Sequence, residues 1–140
     1  MTTPAYDPQN IFAKILRGEM PCYKVFEDEV ALALMDIMPR ADGHALVIPK
    51  APVRGLLDMP ADMLGPYMQR VQKVAHAVNK AMQADGLTIQ QFNETAGGQV
   101  VFHLHFHVLP RWEGVALKPP GAMGDKSILE ANAAKIRAAI

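Results

Sequence analysis

The chain has 140 residues, half of them apolar, with 14 Lys plus Arg balancing 14 Asp plus Glu. That length fits one domain with its own core, and the absence of net positive charge leaves no electrostatic footprint for nucleic acid. No apolar run nears the roughly 20 residues that cross a bilayer, residues 1–9 lack the layout of a signal peptide, and Cys22 is the only cysteine, so the expected setting is the cytoplasm, without membrane contact.

Asn10 is placed to cap a short helix over residues 11–17, with Ile11, Phe12, Ile15 and Leu16 on its apolar side and Gly18 ending it. Two strands follow, 22–26 and 30–37, around the acidic turn Glu27-Asp28-Glu29. Pro39 and Asp42-Gly43 punctuate before a third strand over 44–49. Apolar residues at 64, 67, 68, 71, 74, 75, 78 and 82 form a helical seam. They predict a long amphipathic helix over 63–82, with Pro66 tolerated in its first turns and Gly86 as its stop. A fourth strand, 88–93, precedes a loop of small residues, 95–98. Beyond Trp112 the pattern loosens until a last helix from Ser127, where Ser127 and Glu130 have capping-box spacing. This order predicts an α+β domain on a mostly antiparallel sheet.

The most informative stretch is His103-Leu104-His105-Phe106-His107-Val108-Leu109. Strict alternation is the period of a strand, so the three imidazoles share one face while Leu104, Phe106 and Val108 point into a core. Stability does not ask for this, because each imidazole brings two nitrogens that need partners. Three uses compete with the bland alternative of three satisfied core histidines. One imidazole could attack phosphorus while its neighbours orient it, a His-x-His pair could ligate a transition metal, or the row could bind a ligand without reaction. The residues just upstream favour phosphorus. Asn93, Gly97, Gly98 and Gln99 offer neutral amides and flexible backbone for an anion. Glu94 is the only acid between Gly86 and Arg111, which is sparse for a metal site.

The motif His103-x-His105-x-His107-x-x, apolar at every x, resembles the one that names the histidine triad (HIT) family. Ile11-Phe12-Ala13-Lys14-Ile15, Glu27-Asp28, Asp36-Ile37 with Pro39, His44 before Leu46-Val47-Ile48-Pro49-Lys50, and Asn93 with Gly98-Gln99 follow in family order. The resemblance covers about residues 10–111, leaving 1–9 as a flexible lead and 112–140 as a C-terminal extension with the terminal helix. It implies a HIT-like fold, a five-stranded and mainly antiparallel sheet with one long and one short helix, paired into a homodimer. It also implies a nucleotide hydrolase or transferase that cleaves at the α-phosphate of nucleoside phosphoramidates, dinucleoside polyphosphates or related esters through a covalent nucleotidyl-histidine.

On that resemblance His105 is the nucleophile, His107 and Gln99 contact the phosphoryl oxygens, and His103 and His44 orient and relay protons. Asp36 takes the ribose hydroxyls, with the lesser alternative that it simply ends a strand before the Pro39 turn. Ile11, Phe12, Ile15, Met35 and Ile37 hold the base, and Asn93, Gly98 and the Val100 N–H complete the nucleotide site. The implied partner is a purine nucleotide, adenine before guanine. No cofactor is implied, and Mg2+ would enter only with a polyphosphate substrate. A nucleotide-binding regulator with incidental hydrolysis is the competing reading, and a metal-binding protein using His44 and the triad a more distant one.

Two positions depart from the family pattern. Many bacterial relatives resemble Cys-Ile-Phe-Cys near the N-terminus, part of a structural zinc site, where this chain has Asn10-Ile11-Phe12-Ala13. After Gln99, where many relatives carry a hydroxyl, stands Val100, which leaves only its N–H to assist a phosphate.

Overall fold

In the computed structural model, which describes residues 4–140, alternating side chains build one sheet with two unlike faces. Strands β1 (Lys24–Glu27), β2 (Ala31–Met35), β3 (Ala45–Pro49), β4 (Gly86–Gln90) and β5 (Phe106–Arg111) lie in the order β1-β2-β3-β5-β4. Every pairing is antiparallel. Helices α1 (Ile11–Leu16), α2 (Ala61–Ala81) and α3 (Lys126–Ala138) complete the α+β fold.

Successive residues of a strand face opposite ways, so neighbouring rows across the sheet serve different layers. The row Met35, Ala45 and Val108 enters the main core with Val71, Val74 and Val78 of α2 and Leu129, Ala133 and Ile136 of α3. The adjacent row is Leu34, Leu46 and His107. On that face Leu32, Leu34, Leu46 and Ile48 pack with Phe12 of α1. The 112–140 segment thus contributes α3 to the same core as the sheet.

The predicted seam of the long helix is buried at Tyr67, Val71, Val74 and Val78. The Tyr67 hydroxyl also donates to the Val47 carbonyl at 2.7 Å, tying α2 to the middle of β3. The helix stops at Ala81, followed by Gln83 at φ +49°, and Gly86 opens β4 instead of acting as the stop. The fourth strand accordingly lies earlier than the expected 88–93.

Side-chain acceptors trim the other elements. Asp28 Oδ1 takes the Val30 and Ala31 N–H groups, and Asp36 Oδ1 takes that of Met38. These Asx-type turns bracket β2 more tightly than the expected 30–37. Asp125 caps α3 by accepting from the Ser127 and Ile128 N–H groups, so Ser127 lies inside the helix and its capping box does not form. Asn10 does cap α1, accepting from the Ala13 N–H at 2.9 Å, a bond worth about 1 kcal/mol of helix stability.

Candidate active site

The histidine segment departs from a simple strand. Its ladder with β3 begins only at Phe106, opposite Val47, so His103 and His105 precede β5 rather than lie on it. The alternation survives without the ladder. Leu104, Phe106 and Val108 belong to or pack on the main core, while the His105 ring lies 5.0 Å from that of His107 and 4.9 Å, edge-on, from Phe12. Side chains and one backbone bond replace the missing ladder: the Leu104 N–H donates to the Val53 carbonyl, and His103 Nε2 lies 2.9 Å from the Pro49 carbonyl.

These contacts fix the tautomers, because a backbone carbonyl only accepts and a backbone N–H only donates. His103 therefore carries its proton on Nε2, and its Nδ1 accepts from the Tyr6 hydroxyl at 2.6 Å. His105 Nδ1 lies 2.7 Å from the His103 carbonyl, so Nδ1 is protonated and the Nε2 lone pair is left for chemistry. The Arg40 N–H donates to His44 Nδ1 at 3.1 Å. Neutral His44 then holds its proton on Nε2 and donates it to His107 Nδ1 at 3.0 Å. His107 is left with a donor at Nε2. One lone pair and one N–H thus lie on neighbouring rings 5.0 Å apart, set edge to face.

Every part of this requires uncharged imidazoles, and burial supplies them. It pushes the pKa of His44 down to about 3, with His107, Arg40 and His105 adding repulsion. Burial likewise takes His103 and His107 to about 4 and lowers His105. Asp36 moves the other way: burial raises its pKa, offset in part by the Met38 N–H. Its Oδ2 sits 3.5 Å from His44 Nε2 and 4.0 Å from His107 Nδ1. Among the described residues these three are the one group whose donor atoms could jointly hold a metal ion, and two imidazoles with a carboxylate form a set that zinc accepts.

The remaining site candidates divide between the histidine face and elsewhere. Phe12 lies on that face as a buried floor, while Ile11 and Ile37 are exposed and Ile15 partly so. Met35 is a correction. It is 1% exposed and points into the main core, on the opposite side of the sheet from the histidines. Counting in twos back from Asp36, whose N–H donates to the His44 carbonyl, would have selected Leu34, which shares a row with Leu46 and His107.

The loop before the triad is also arranged differently from an open anion cradle. The Gly97, Gly98 and Gln99 N–H groups donate to the carbonyls of Glu94 and Thr95. The Gln99 side chain is turned inward, accepting from the Glu94 N–H and donating to the Arg54 and Val101 carbonyls. Asn93 accepts from the Leu56 N–H and exchanges amide bonds with Gln91. Gly98 sits at φ +98°, where a Cβ would also come within 3.3 Å of the Phe92 ring. Val100 is 83% exposed, and among the described residues its N–H has no protein partner.

Sequence reasoning missed one support of this loop and one of the triad. Arg54 makes a two-bonded pair with Glu94 at 2.8 and 2.9 Å and lies 4.2 Å over the Phe102 ring. Tyr6 belongs to the lead expected to be flexible, of which residues 1–3 lie outside the described residues. No local pattern marks either Arg54 or Tyr6. A cavity of about 470 Å³ opens at the far end of β5, among Asp85, Arg111, Trp112 and Val115. It contains none of the histidines.

A row of neutral imidazoles on one face of a five-stranded antiparallel sheet defines a histidine-triad site. Residues 17–114 match the HIT domain, and the chain belongs to the HIT family. Its fold superposes on a HIT-like protein involved in cell-cycle regulation from Bartonella henselae with a TM-score of 0.93 at 55% identity, covering 98% of this chain and 100% of that one. It is 38% identical over 112 residues to adenosine 5'-monophosphoramidase HNT1 of Saccharomyces cerevisiae, covering 79% of this chain and 68% of that protein. It is also 38% identical over 103 residues to adenylylsulfatase HINT3 of Arabidopsis thaliana, covering 74% of this chain but only 52% of that protein. No helix among the described residues is long and apolar enough to cross a membrane.

Proposed function

We propose that the chain is a nucleotidyl hydrolase or transferase that cleaves the α-phosphate bond of adenine-nucleotide conjugates through a nucleotidyl-His105 intermediate. The observation that carries this reading is the 2.7 Å bond between His105 Nδ1 and the His103 carbonyl, which leaves Nε2 as a free nucleophile. In the first step the Nε2 lone pair forms a bond to phosphorus as the bond to the leaving group breaks. His105 then carries positive charge, which the His103 carbonyl stabilises through Nδ1–H. The leaving group takes a proton from solvent. In the second step water attacks phosphorus, the P–Nε2 bond returns its electron pair to nitrogen, and the water proton is released.

His107 Nε2–H meets the phosphoryl oxygens, where charge accumulates, and the Val100 N–H adds a second donor. Asp36 uses Oδ2 for the ribose, since Oδ1 holds the Met38 N–H. The base lies against Ile11, Ile15 and Ile37 over the edge of Phe12. The names of the yeast and plant relatives support adenine, with an amine or a sulfate as leaving group. A second nucleotide is the third candidate.

Steady-state rates test this across an adenosine phosphoramidate, adenylyl sulfate, diadenosine tri- and tetraphosphate and a guanosine analogue. AMP release from at least one adenosine compound is expected. Firm AMP binding with no turnover of any of them would instead make the chain a nucleotide-binding regulator.

This reaction needs no protein-bound metal, and the structural zinc site of many bacterial relatives lacks two of its ligands in this chain, at Asn10 and Ala13. Elemental analysis of protein purified without chelator should therefore find well below one zinc per chain. Stoichiometric zinc, lost together with activity in His44→Ala, would replace this mechanism by a metal-dependent one.

A homodimer completes the proposal. Strand β4 is an edge of the sheet and carries Ile89 at 43% exposure, and an edge of this kind needs cover. Sedimentation at micromolar concentration should give twice the chain mass. A monomer there would defeat the assembly and leave the chemistry standing.

A further inference from the structure

We propose that Tyr6 is a positioning residue for this site: by donating its hydroxyl to His103 Nδ1 it satisfies the buried acceptor of the first triad histidine and steadies the ring next to the carbonyl that aims His105. The proposal rests on the nucleotidyl-transfer reading given above.

Tyr6 lies outside the segment that matches the HIT domain, residues 17–114. Its hydroxyl is nevertheless 2.6 Å from His103 Nδ1 across 97 residues of sequence, with the two rings edge-on at 5.6 Å and 68°. His103 is 0% exposed, so water has no access to replace the phenol. Its Nε2 faces the Pro49 carbonyl at 2.9 Å and must therefore carry the proton. Nδ1 is then a buried acceptor that requires a donor, and Tyr6 is the group that supplies it. Moving the proton to Nδ1 would set two acceptors against each other at Pro49.

With both nitrogens engaged, His103 has no site from which to pass a proton to a substrate. Its influence runs through its carbonyl to His105 Nδ1. That carbonyl lies before the β5 ladder begins, so the sheet does not hold it in place. The Leu104 N–H of the same peptide is bonded to the Val53 carbonyl, and the His103 ring adds a second hold, clamped between Pro49 on one side and Tyr6 on the other. Tyr6 is itself anchored through its chain neighbours. The Asp7 carbonyl accepts from Asn10 Nδ2 at 2.7 Å, the Pro8 carbonyl from Arg17 at 2.7 Å, and Asn10 caps α1, whose Phe12 packs on both His103 and His105. A small displacement of an attacking atom is costly in rate, so loosening this clamp should appear in turnover more than in binding.

Tyr6→Phe keeps the ring and removes the donor. Two readouts judge it: long-range 1H–15N imidazole spectra, and kcat with KM on whichever conjugate the wild type cleaves. The expected result is an Nε2–H His103 in both proteins, with the Nδ1 signal shifted toward an unbonded lone pair or exchange-broadened in the variant. With it, kcat should fall roughly 10–100-fold while KM stays within about twofold. Tyr23→Phe, a phenol away from the histidines, should change neither readout. An unchanged His103 pattern, a kcat within twofold of wild type, or a loss carried by KM would each overturn the proposal. Should the wild type cleave no conjugate at all, the nucleotidyl-transfer reading fails, while the spectra still decide whether Tyr6 holds His103 at Nδ1.

Discussion

His105→Asn is expected to lower turnover by roughly 10⁴-fold or more while AMP-like ligands still bind. The Nε2 lone pair is the one atom of the ring that protein partners leave free, since Nδ1 is committed to the His103 carbonyl. Asparagine keeps a polar side chain of similar reach and has no nucleophilic nitrogen. Affinity should persist because Asp36, the isoleucines and His107 are untouched. Wild-type protein quenched in base with radiolabelled substrate should carry label through an acid-labile, base-stable bond, and the variant should carry none. His44→Ala acts one step back, removing the N–H that fixes His107, and should cost about 10–10³-fold. If His105→Asn kept most of its activity, or label never reached the wild type despite fast turnover, direct attack by water would become the better mechanism.

Acid should destabilise the folded chain well before carboxylate titration dominates. Unfolded histidines take up protons near pH 6.5, whereas folded His103 and His107 do so only near 4 and His44 near 3. Between those limits the unfolded state binds more protons, so stability falls as the pH drops and is fully present above about 6.5. Each of the three contributes up to about 2 kcal/mol of that loss by pH 5. Asp36 opposes it, because its raised pKa lets the folded state keep a proton that the unfolded one has released. It is one group against several. Calorimetry should show Tm falling by roughly 10 °C or more between pH 7.5 and 5. A flat profile over that range would mean that the histidines are not held neutral by burial. Asp36→Asn should leave the fall intact, since the carboxylate is not its source.

Periodicity carried much of the architecture, and its failures are instructive. The seam from Tyr67 to Val78 was readable because a helix repeats its buried face every three to four residues whatever covers it. The Asn10 cap was readable because donor and acceptor lie three residues apart. Ser127 is misassigned by the same local logic, since Asp125, two residues earlier, caps the helix by accepting from the Ser127 and Ile128 N–H groups. Met35 was placed at the site through resemblance, whereas strand parity sends it to the opposite face.

The sequence by itself determined that three imidazoles share one side of the chain, because alternation of side chains persists at His103 and His105 even where no ladder forms. His105 takes its tautomer from the His103 carbonyl two residues away, but what His103, His107 and His44 can do was decided only by tertiary structure. A ring nitrogen becomes donor or acceptor according to the group that faces it, and those groups are the Pro49 carbonyl, the Arg40 N–H and the Tyr6 hydroxyl. None of them is close to the triad in sequence. Whether the rings are charged was likewise settled by burial beneath α1 and the neighbouring strands. Residue types and their period specify which groups can meet. The energies that select a tautomer and a charge state arise only when distant parts of the chain exclude water around them.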